Sequence, residues 1–375
     1  MFENVKKLLD AGIDMGIPAV QVSVFHKGKE VFAEYRGVFN EEGTSLSGNE
    51  LYNIYSCSKF ITCTAALMLY EKGKFSLDDE IAEYISAFGD MTVKKESGIY
   101  KAEKRITIRQ LFTMTSGMNY DCGSEYIKEG RAVTEGRCPT VEMMKYIAKI
   151  PLEFEPGTTW RYSLSHDVIA ALVEVVSGEK FGDFVKKNIF DPLGMCDTTY
   201  NLPDEKLSLL PAQYTYSSKE QKYTNIGPKI HIYKFGSEYE SGGAGAVSTV
   251  ADYMKFLEGM RTGRLLKEET IALMKQNHLT EEQRKTCWAS NGYGYGLGVR
   301  APMGDGRRTD YGWGGAAGAF AAVDPEHDIT LYYSQHVISS KFASLRKDYI
   351  EAAKLDLGYG AFVEDMWNGQ GKALA

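Results

Sequence analysis

The sequence predicts an α/β protein of the α+β type, with an antiparallel sheet flanked by helices and a mostly helical domain inserted into it. Strand-like alternation of apolar and polar residues occurs near the start of the chain and again in its last third. The long middle part instead has helical periodicity and loops. Because a sheet built from both ends of a chain leaves the middle outside it, we expect the helical part to be an insertion.

Composition narrows the class of protein. The chain has 375 residues, of which 43% are hydrophobic, and this suits a globular protein with a substantial core. A formal charge of −7 and the lack of a long basic run argue against a nucleic-acid or membrane partner. The first ten residues lack the apolar run of a signal peptide, and no stretch approaches the roughly 18 apolar residues of a membrane span. We therefore expect a cytoplasmic protein.

Cysteine and histidine patterns indicate neither disulfides nor a metal site. The six cysteines contain no C-x-x-C pair, which suits reduced thiols: Cys57, Cys63, Cys122, Cys138, Cys196 and Cys287. The six histidines are isolated from one another and show no metal-binding spacing. Of these, His166 is expected to be a solvated residue in the first turn of a helix. No metal and no cofactor are implied.

The chain opens with a helix and a hairpin. Residues 1–11 are amphipathic and predict a helix that Gly12 ends. Alternation at residues 20–24 predicts the first strand, and a turn at 26–29 leads into a second strand at 31–35.

Two helices are predicted with particular clarity. Residues 56–70 are apolar nearly all round, which is typical of a helix buried at the centre of a molecule. Residues 167–176 form an amphipathic helix, with Ser165 as its N-cap and Gly178 as its stop.

The last third returns to strands. These are predicted at 293–299, 319–323 and 329–334, with a turn at 324–327 between the last two. A helix at 344–357 closes the chain.

This order of elements predicts two domains. The sheet domain is discontinuous and comprises residues 1–75 and 241–375. Residues 76–240 form the mostly helical domain, and the active site is expected at the interface between the two.

A Ser-x-x-Lys sequence stands at the start of the buried helix. Residues three apart lie on one face of a helix, so Lys59 is expected beside the Ser56 hydroxyl. Burial and the helix dipole both disfavour the ammonium form there, so Lys59 can act as a base, while the dipole favours a nearby oxyanion. The alternative is that Ser56 is a simple N-cap and Lys59 extends outward.

Two other pairs have the same spacing in less suitable places. Ser177 and Lys180 flank a glycine at a helix end, and Ser344 and Lys347 lie on a predicted solvated face. Only Ser56 begins a buried helix. No G-x-S-x-G sequence occurs, which argues against an α/β-hydrolase.

Further segments follow in a consistent order. They are residues 106–118 containing Thr-Ser-Gly, 156–163 with the pattern P-G-x-x-x-x-Y-S, 191–195 with Pro-Leu-Gly-Met, 242–245 with Gly-Gly-Ala-Gly, and 312–315 with Gly-Trp-Gly-Gly. Together with the Ser-x-x-Lys sequence, they resemble the class C β-lactamase and penicillin-binding-protein superfamily of serine hydrolases over most of the chain. The resemblance implies a β-lactamase-like fold.

The resemblance also implies roles for individual residues. Tyr162 becomes the general acid and base, coupled to Lys59. A phenol with an ordinary pKa of about 10 needs a neighbouring cation for this work. The backbone N–H groups of Ser56 and Ala316 become the oxyanion hole. The substrate-binding strand becomes Trp313, Gly314 and Gly315.

Two departures from the family pattern bear on the substrate. Trp313-Gly314-Gly315 stands where most members have Lys-Thr-Gly or His-Thr-Gly, and Tyr162-Ser163-Leu164 stands where β-lactamases have Tyr-x-Asn. The missing groups orient β-lactams. The Trp-Gly-Gly form is similar to the esterase branch, the family VIII carboxylesterases.

We therefore expect a hydrolase of small esters, or of amides, that forms an acyl-enzyme. One alternative is a β-lactamase, D-amino-acid peptidase or acyltransferase of the same fold. In a β-lactamase, Arg300, Arg307 or Arg308 would supply the missing cation for the substrate carboxylate. Another is a non-catalytic binding or scaffold protein, which would have no need of a serine, a lysine and a tyrosine in this pattern. The sequence makes no prediction of oligomeric state.

Overall fold

The structure is a computed structural model and describes residues 1–227, 233–288, 292–340 and 345–360. Its α-helices are α1 (Glu3–Asp14), α2 (Ser58–Glu71), α3 (Ile108–Phe112), α4 (Glu125–Val133), α5 (Thr140–Ile147), α6 (Ser165–Ser177), α7 (Phe181–Val185), α8 (Asp191–Leu193), α9 (Val250–Arg261), α10 (Glu268–Met274), α11 (Glu281–Thr286) and α12 (Asp348–Asp356).

The strands are β1 (Ala19–His26), β2 (Lys29–Gly37), β3 (Tyr52–Asn53), β4 (Thr92–Lys95), β5 (Gly98–Lys101), β6 (Tyr214–Ser217), β7 (Lys222–Asn225), β8 (Val247–Ser248), β9 (Tyr293–Tyr295), β10 (Arg300–Pro302), β11 (Phe320–Asp324), β12 (Ile329–Ser334) and β13 (Val337–Ile338). Short 3₁₀-helices and one π-helical turn complete the secondary structure: Tyr55–Cys57, Ile81–Glu83, Ser86–Asp90, Lys186–Phe190 and Asp204–Leu209.

The main sheet combines strands from both ends of the chain. Its order is β11-β12-β1-β2, and every neighbouring pair is antiparallel. Val22 of β1 lies opposite Tyr333 of β12, so the N-terminal hairpin and the C-terminal strands share one register. The predicted antiparallel sheet is thereby confirmed.

Helices cover both faces of this sheet. Successive residues of a strand point to opposite faces. Tyr332 accordingly stacks on Tyr253 of α9, with ring centroids 4.3 Å apart, while Tyr333 stacks on Tyr349 of α12 at the same separation. The predicted α/β class, with helices flanking the sheet, is confirmed.

Helix α2 runs through the centre of the molecule, as predicted. Its residues from Ser58 to Leu67 are all buried. The polar residues Thr62 and Thr64 satisfy their hydroxyls by donating to backbone carbonyls one turn earlier, those of Ser58 and Phe60. Helix α6 packs against this helix and brings the middle part of the chain to it.

Three local predictions differ from the structure. Helix α1 continues through Gly12 to Asp14, and Gly16, whose φ is +82°, lies just beyond its end. The predicted N-cap Ser165 lies inside α6, because its hydroxyl hydrogen bonds to two other buried serine hydroxyls instead. The predicted strand at 293–299 is shorter, because Gly298 turns the chain at φ +85° between β9 and β10.

The middle part contains strands that the sequence did not reveal. Strands β4 and β5 form a hairpin, and β6 and β7 form another. Strand β6 also pairs in parallel with β13 near the end of the chain. The domain boundaries at 75 and 240 remain predictions. Among the described helices, none combines the length and apolar character that a membrane crossing requires.

Candidate active site

A strained turn presents Ser56 at the start of the buried helix. The residue before it, Tyr55, has a φ of +48°, which is uncommon for a residue other than glycine. The Tyr55 hydroxyl donates to Gln213 at 2.8 Å and anchors this conformation. Strain of this kind is concentrated at functional sites. Ser56 then lies in a 3₁₀ turn that leads directly into α2.

Lys59 lies one helical turn further along and is completely buried. Its Nζ is 3.3 Å from Ser56 Oγ, 3.1 Å from the Tyr120 hydroxyl and 2.6 Å from the carbonyl oxygen of Gly243. Lys59 therefore points inward to Ser56, and the alternative of an outward-extending lysine is wrong. These three contacts hold the amine next to the Ser56 hydroxyl.

Tyr162 lies beside the same amine. Lys59 Nζ is 4.5 Å from the centroid of its ring. Its hydroxyl accepts a hydrogen bond from Trp313 Nε1 at 3.3 Å, and within the described part of the chain this is the hydrogen bond that it makes. The structure thus brings Ser56, Lys59, Tyr162 and Trp313 together, with the Tyr162 hydroxyl bonded to Trp313 instead of Ser56.

Tyr120, which no sequence motif indicated, lies beside both Lys59 and Tyr162. Its ring stacks on that of Tyr162, with centroids 5.5 Å apart, and its hydroxyl accepts from Lys59. Burial raises the pKa of Tyr120 well above its usual value, so this phenol stays protonated. The signal was its position three residues after Gly117, the last residue of the Thr-Ser-Gly sequence.

A buried carboxyl group behind Lys59 was also missed. Asp167 on α6 is completely buried and accepts a hydrogen bond from the Tyr239 hydroxyl at 3.0 Å. A Cβ atom on Gly243 would lie 2.5 Å from Asp167 Oδ2 and 3.2 Å from Lys59 Nζ. Both side chains therefore lie on the side of Gly243 where another residue would have its side chain. Burial raises the pKa of Asp167, while the nearby Lys59 acts in the opposite direction.

The predicted substrate strand lies against the nucleophile turn. The Gly315 N–H donates to Ala319, and a Cβ atom at Gly315 would lie 2.3 Å from the carbonyl oxygen of Ile54. Only glycine permits this approach. Ala316 is exposed, and neither its N–H nor that of Ser56 donates to any residue that the structure describes.

The three arginines proposed as substitute cations are engaged elsewhere. Arg300 pairs with Asp310, Arg308 pairs with Glu351, and Arg307 pairs with a carboxylate two residues away. Arg300 and Arg308 are buried in these pairs. The hypothesis that one of them replaces the missing family cation therefore receives no support from their positions.

Two further reactive side chains near α2, those of Cys57 and His166, are completely buried. Burial raises the pKa of the Cys57 thiol to about 12, which keeps it protonated and unreactive. His166 is completely buried, and the expectation of a solvated histidine is wrong. Its Nε2 lies 3.1 Å from the carbonyl oxygen of Phe112, and burial lowers its pKa to about 3. The described residues contain no group of ligands that could hold a metal ion.

Comparison with known proteins identifies the family. The family model described as beta-lactamase matches residues 4–354. The chain belongs to the β-lactamase family. Esterase EstB of Burkholderia gladioli is 27% identical over 306 residues, covering 74% of each chain. Lovastatin esterase of Penicillium rubens is 30% identical over 302 residues, covering 73% of each.

The β-lactamase-like fold is confirmed by structural comparison. EstCE1, described as a hydrolase with promiscuous acyltransferase activity, superposes with a TM-score of 0.75 and 24% identity, covering 93% of this chain and 97% of that one. The predicted enzyme class, a serine hydrolase of the β-lactamase family, is confirmed by this membership and by the esterase relatives.

Proposed function

We propose that this β-lactamase-family protein hydrolyses small neutral esters through an acyl-enzyme formed on Ser56. The observation that carries the proposal is the 3.3 Å separation between Lys59 Nζ and Ser56 Oγ inside the protein. The names of the esterase relatives support the choice of an ester.

Lys59 is the base in the first step. A neutral amine has two N–H donors and one lone pair. Of its three neighbours, the Gly243 carbonyl can only accept, and the Tyr120 hydroxyl can accept the second donor. The lone pair then faces Ser56. As Ser56 Oγ bonds to the ester carbonyl carbon, its proton passes to Lys59 and the carbonyl oxygen becomes an oxyanion.

Tyr162 serves the leaving group. Because its oxygen accepts from Trp313 Nε1, its own proton is free to point into the cleft. The bond from the acyl carbon to the leaving oxygen breaks as that oxygen takes the Tyr162 proton, and the Lys59 ammonium restores the proton to Tyr162. Water then attacks the acyl carbon by the reverse route. The proton of that water passes through Tyr162 to Lys59. The bond from the acyl carbon to Ser56 Oγ breaks and the acid is released, while Ser56 Oγ takes the proton back from Lys59.

The oxyanion is held by two backbone donors, the N–H groups of Ser56 and Ala316. Such donors typically supply a factor of about 10² to 10³ in kcat each. The substrate lies along Trp313, Gly314 and Gly315, where an indole replaces the cation that most of the family carries. That replacement supports neutral esters over substrates that bear a carboxylate.

The proposed location is the cytoplasm. Five of the cysteines form no disulfide: Cys57, Cys63, Cys122, Cys138 and Cys196. Cysteines that remain reduced are typical of a reducing compartment.

Turnover of short-chain p-nitrophenyl esters tests the proposal. Wild type should hydrolyse p-nitrophenyl butyrate, and Ser56→Ala should abolish turnover while leaving the circular dichroism spectrum unchanged. Ser177→Ala is the matched control, because Ser177 has the same spacing to a lysine but lies at the end of α6. Full activity in Ser56→Ala would contradict the mechanism.

A further inference from the structure

Arg346 lies directly against the predicted substrate strand. Its NH1 atom donates to the carbonyl oxygens of Gly315 at 2.7 Å and Ala319 at 3.3 Å. A Cβ atom at Gly314 would lie 3.0 Å from the Cζ atom of Arg346. The guanidinium therefore packs against Gly314 at the place where any other residue would have its side chain.

The hydrogen bonds of Arg346 close a tight turn. The Gly315 N–H donates to Ala319 at 2.8 Å, and the Gly318 N–H donates back to Gly315 at 3.0 Å. Gly318 has a φ of +93°, which favours glycine. The Gly315 carbonyl thus accepts from both Gly318 and Arg346, and its direction is fixed twice.

That carbonyl shares a peptide plane with the proposed oxyanion donor. In a trans peptide the C=O of one residue and the N–H of the next are coplanar and point in opposite directions. Fixing the Gly315 carbonyl towards Arg346 therefore fixes the Ala316 N–H away from it. A hydrogen bond from a cation to the carbonyl also polarises the amide and strengthens its N–H as a donor.

We infer that Arg346 is a positioning residue of the oxyanion hole, which orients and polarises the Gly315–Ala316 peptide so that the Ala316 N–H meets the developing oxyanion. The inference rests on the proposed function at Ser56. Both of its described hydrogen bonds go to backbone carbonyl oxygens of this turn, so the guanidinium acts on the turn's peptide groups.

A merely structural role for Arg346 predicts a different result from a role in oxyanion binding. Loss of a structural anchor would lower thermal stability or raise KM. Loss of the oriented donor weakens interactions with the transition state more than with the ground state, so it lowers kcat and leaves KM nearly unchanged. It also weakens binding of butylboronic acid, which forms a tetrahedral adduct with a serine hydroxyl.

The experiment compares Arg346→Met, Arg346→Lys and wild type with p-nitrophenyl butyrate and butylboronic acid. Removing a complete oxyanion donor typically costs about 10² to 10³ in kcat, so misorienting one should cost about 10-fold or more. Arg346→Met should lose at least that factor in kcat, with a matching rise in the boronate Ki and a change in KM below about 3-fold. Arg346→Lys keeps the charge but not the planar guanidinium that fixes the donor's direction, and should fall in between.

Arg307→Met is the matched control, because Arg307 is an exposed arginine paired with Asp305. It should equal wild type. A folded Arg346→Met with wild-type kcat and boronate Ki would overturn the inference, as would a loss of kcat without any change in Ki. If Arg346→Met does not fold, Arg346→Lys decides by the same two readouts.

The two proposals fail in distinguishable ways. Absence of p-nitrophenyl butyrate hydrolysis by wild type contradicts the proposed function itself. Hydrolysis that depends on Ser56 but not on residue 346 contradicts only the role of Arg346.

Discussion

Lys59 Nζ donates a hydrogen bond to the Tyr120 hydroxyl at 3.1 Å. Tyr120 stacks on Tyr162, and the backbone N–H of Leu164 donates to the carbonyl oxygen of Asn119 at 3.0 Å. The segments before Tyr120 and after Tyr162 are thus tied together. Tyr120 thereby places the amine between the nucleophile and the proposed proton donor.

Tyr120→Phe should lower kcat for p-nitrophenyl butyrate by about 10-fold, because Lys59 loses a partner that orients it while the stacked ring remains. The expected loss is smaller than that of Tyr162→Phe, since Tyr120 acts through Lys59 and Tyr162 is proposed to touch the substrate. Steady-state kinetics on both variants measures the difference.

Tyr100→Phe is the matched control, because Tyr100 is exposed on β5 and its hydroxyl bonds within its own hairpin. It should have wild-type kinetics. A greater loss of kcat in Tyr120→Phe than in Tyr162→Phe would reverse the two assignments.

Lys59→Ala and Tyr162→Phe should each lower kcat by about 10² or more, as is typical of positioned acid and base groups. If the two residues form one proton relay, removing the second costs little once the first is gone. The double variant should therefore lose less than the product of the single losses. A fully multiplicative loss would show that the two groups act independently.

Specificity provides a separate prediction. A β-lactam carboxylate would be desolvated beside Trp313, whose indole offers an apolar face and one N–H already donated to Tyr162. Leaving a charged group incompletely paired costs about 1 to 3 kcal/mol or more, which corresponds to about 10-fold to more than 100-fold in specificity. Wild type should therefore have a much higher kcat/KM for p-nitrophenyl butyrate than for nitrocefin.

Trp313→Lys should raise the affinity for carboxylate-bearing β-lactams, because it supplies a cation where most of the family has one. Inhibition of ester hydrolysis by a penicillin measures this affinity. A wild-type preference for nitrocefin would favour a β-lactamase over an esterase.

Two buried histidines predict acid sensitivity. Burial lowers the pKa of His166 from 6.5 to about 3 and that of His336 from 6.5 to about 4. Below pH 6.5 the unfolded chain binds protons that the folded protein does not. The free energy of unfolding therefore decreases as the pH is lowered from 6.5 towards 4. Each histidine contributes up to about 1.4 kcal/mol per pH unit.

His166→Gln should therefore have a shallower loss of stability between pH 6.5 and 4 than wild type, because glutamine does not titrate. Urea denaturation at several pH values gives the free energy of unfolding. Identical slopes in wild type and variant would contradict the assignment of a buried neutral His166.

Much of the fold follows from local patterns in the sequence. Alternation at residues 20–24 indicates a strand, and the uniformly apolar residues after Ser56 indicate a buried helix. Both patterns are local and do not depend on tertiary partners. Cap positions are less predictable, because they depend on tertiary partners. Ser165 bonds to Ser116, which is distant in sequence, and so enters the helix instead of capping it. The hairpins of the middle part have strands of only four residues each, which is too short for a periodic pattern to be distinctive.

The proximity of candidate site residues could be predicted where they lie in ordered motifs, but not where they approach one another only in the folded chain. Ser56 and Lys59 are neighbours on one helix, so their proximity follows from helical geometry. Asp167 and Arg346 reach the site from α6 and from just before α12, and no local pattern connects either residue to Ser56. The proximity of Asp167 to Lys59, and of Arg346 to the predicted substrate strand, is visible only in the folded structure.

Labelling with a fluorophosphonate, followed by peptide mapping, tests the central claim most directly. The reagent bonds covalently to an activated serine, so wild type should carry one label on the peptide that contains Ser56. Ser56→Ala should carry none, and Lys59→Ala should label much more slowly. Ester hydrolysis by wild type with no label on that peptide, or with the label on another serine, would contradict Ser56 as the nucleophile.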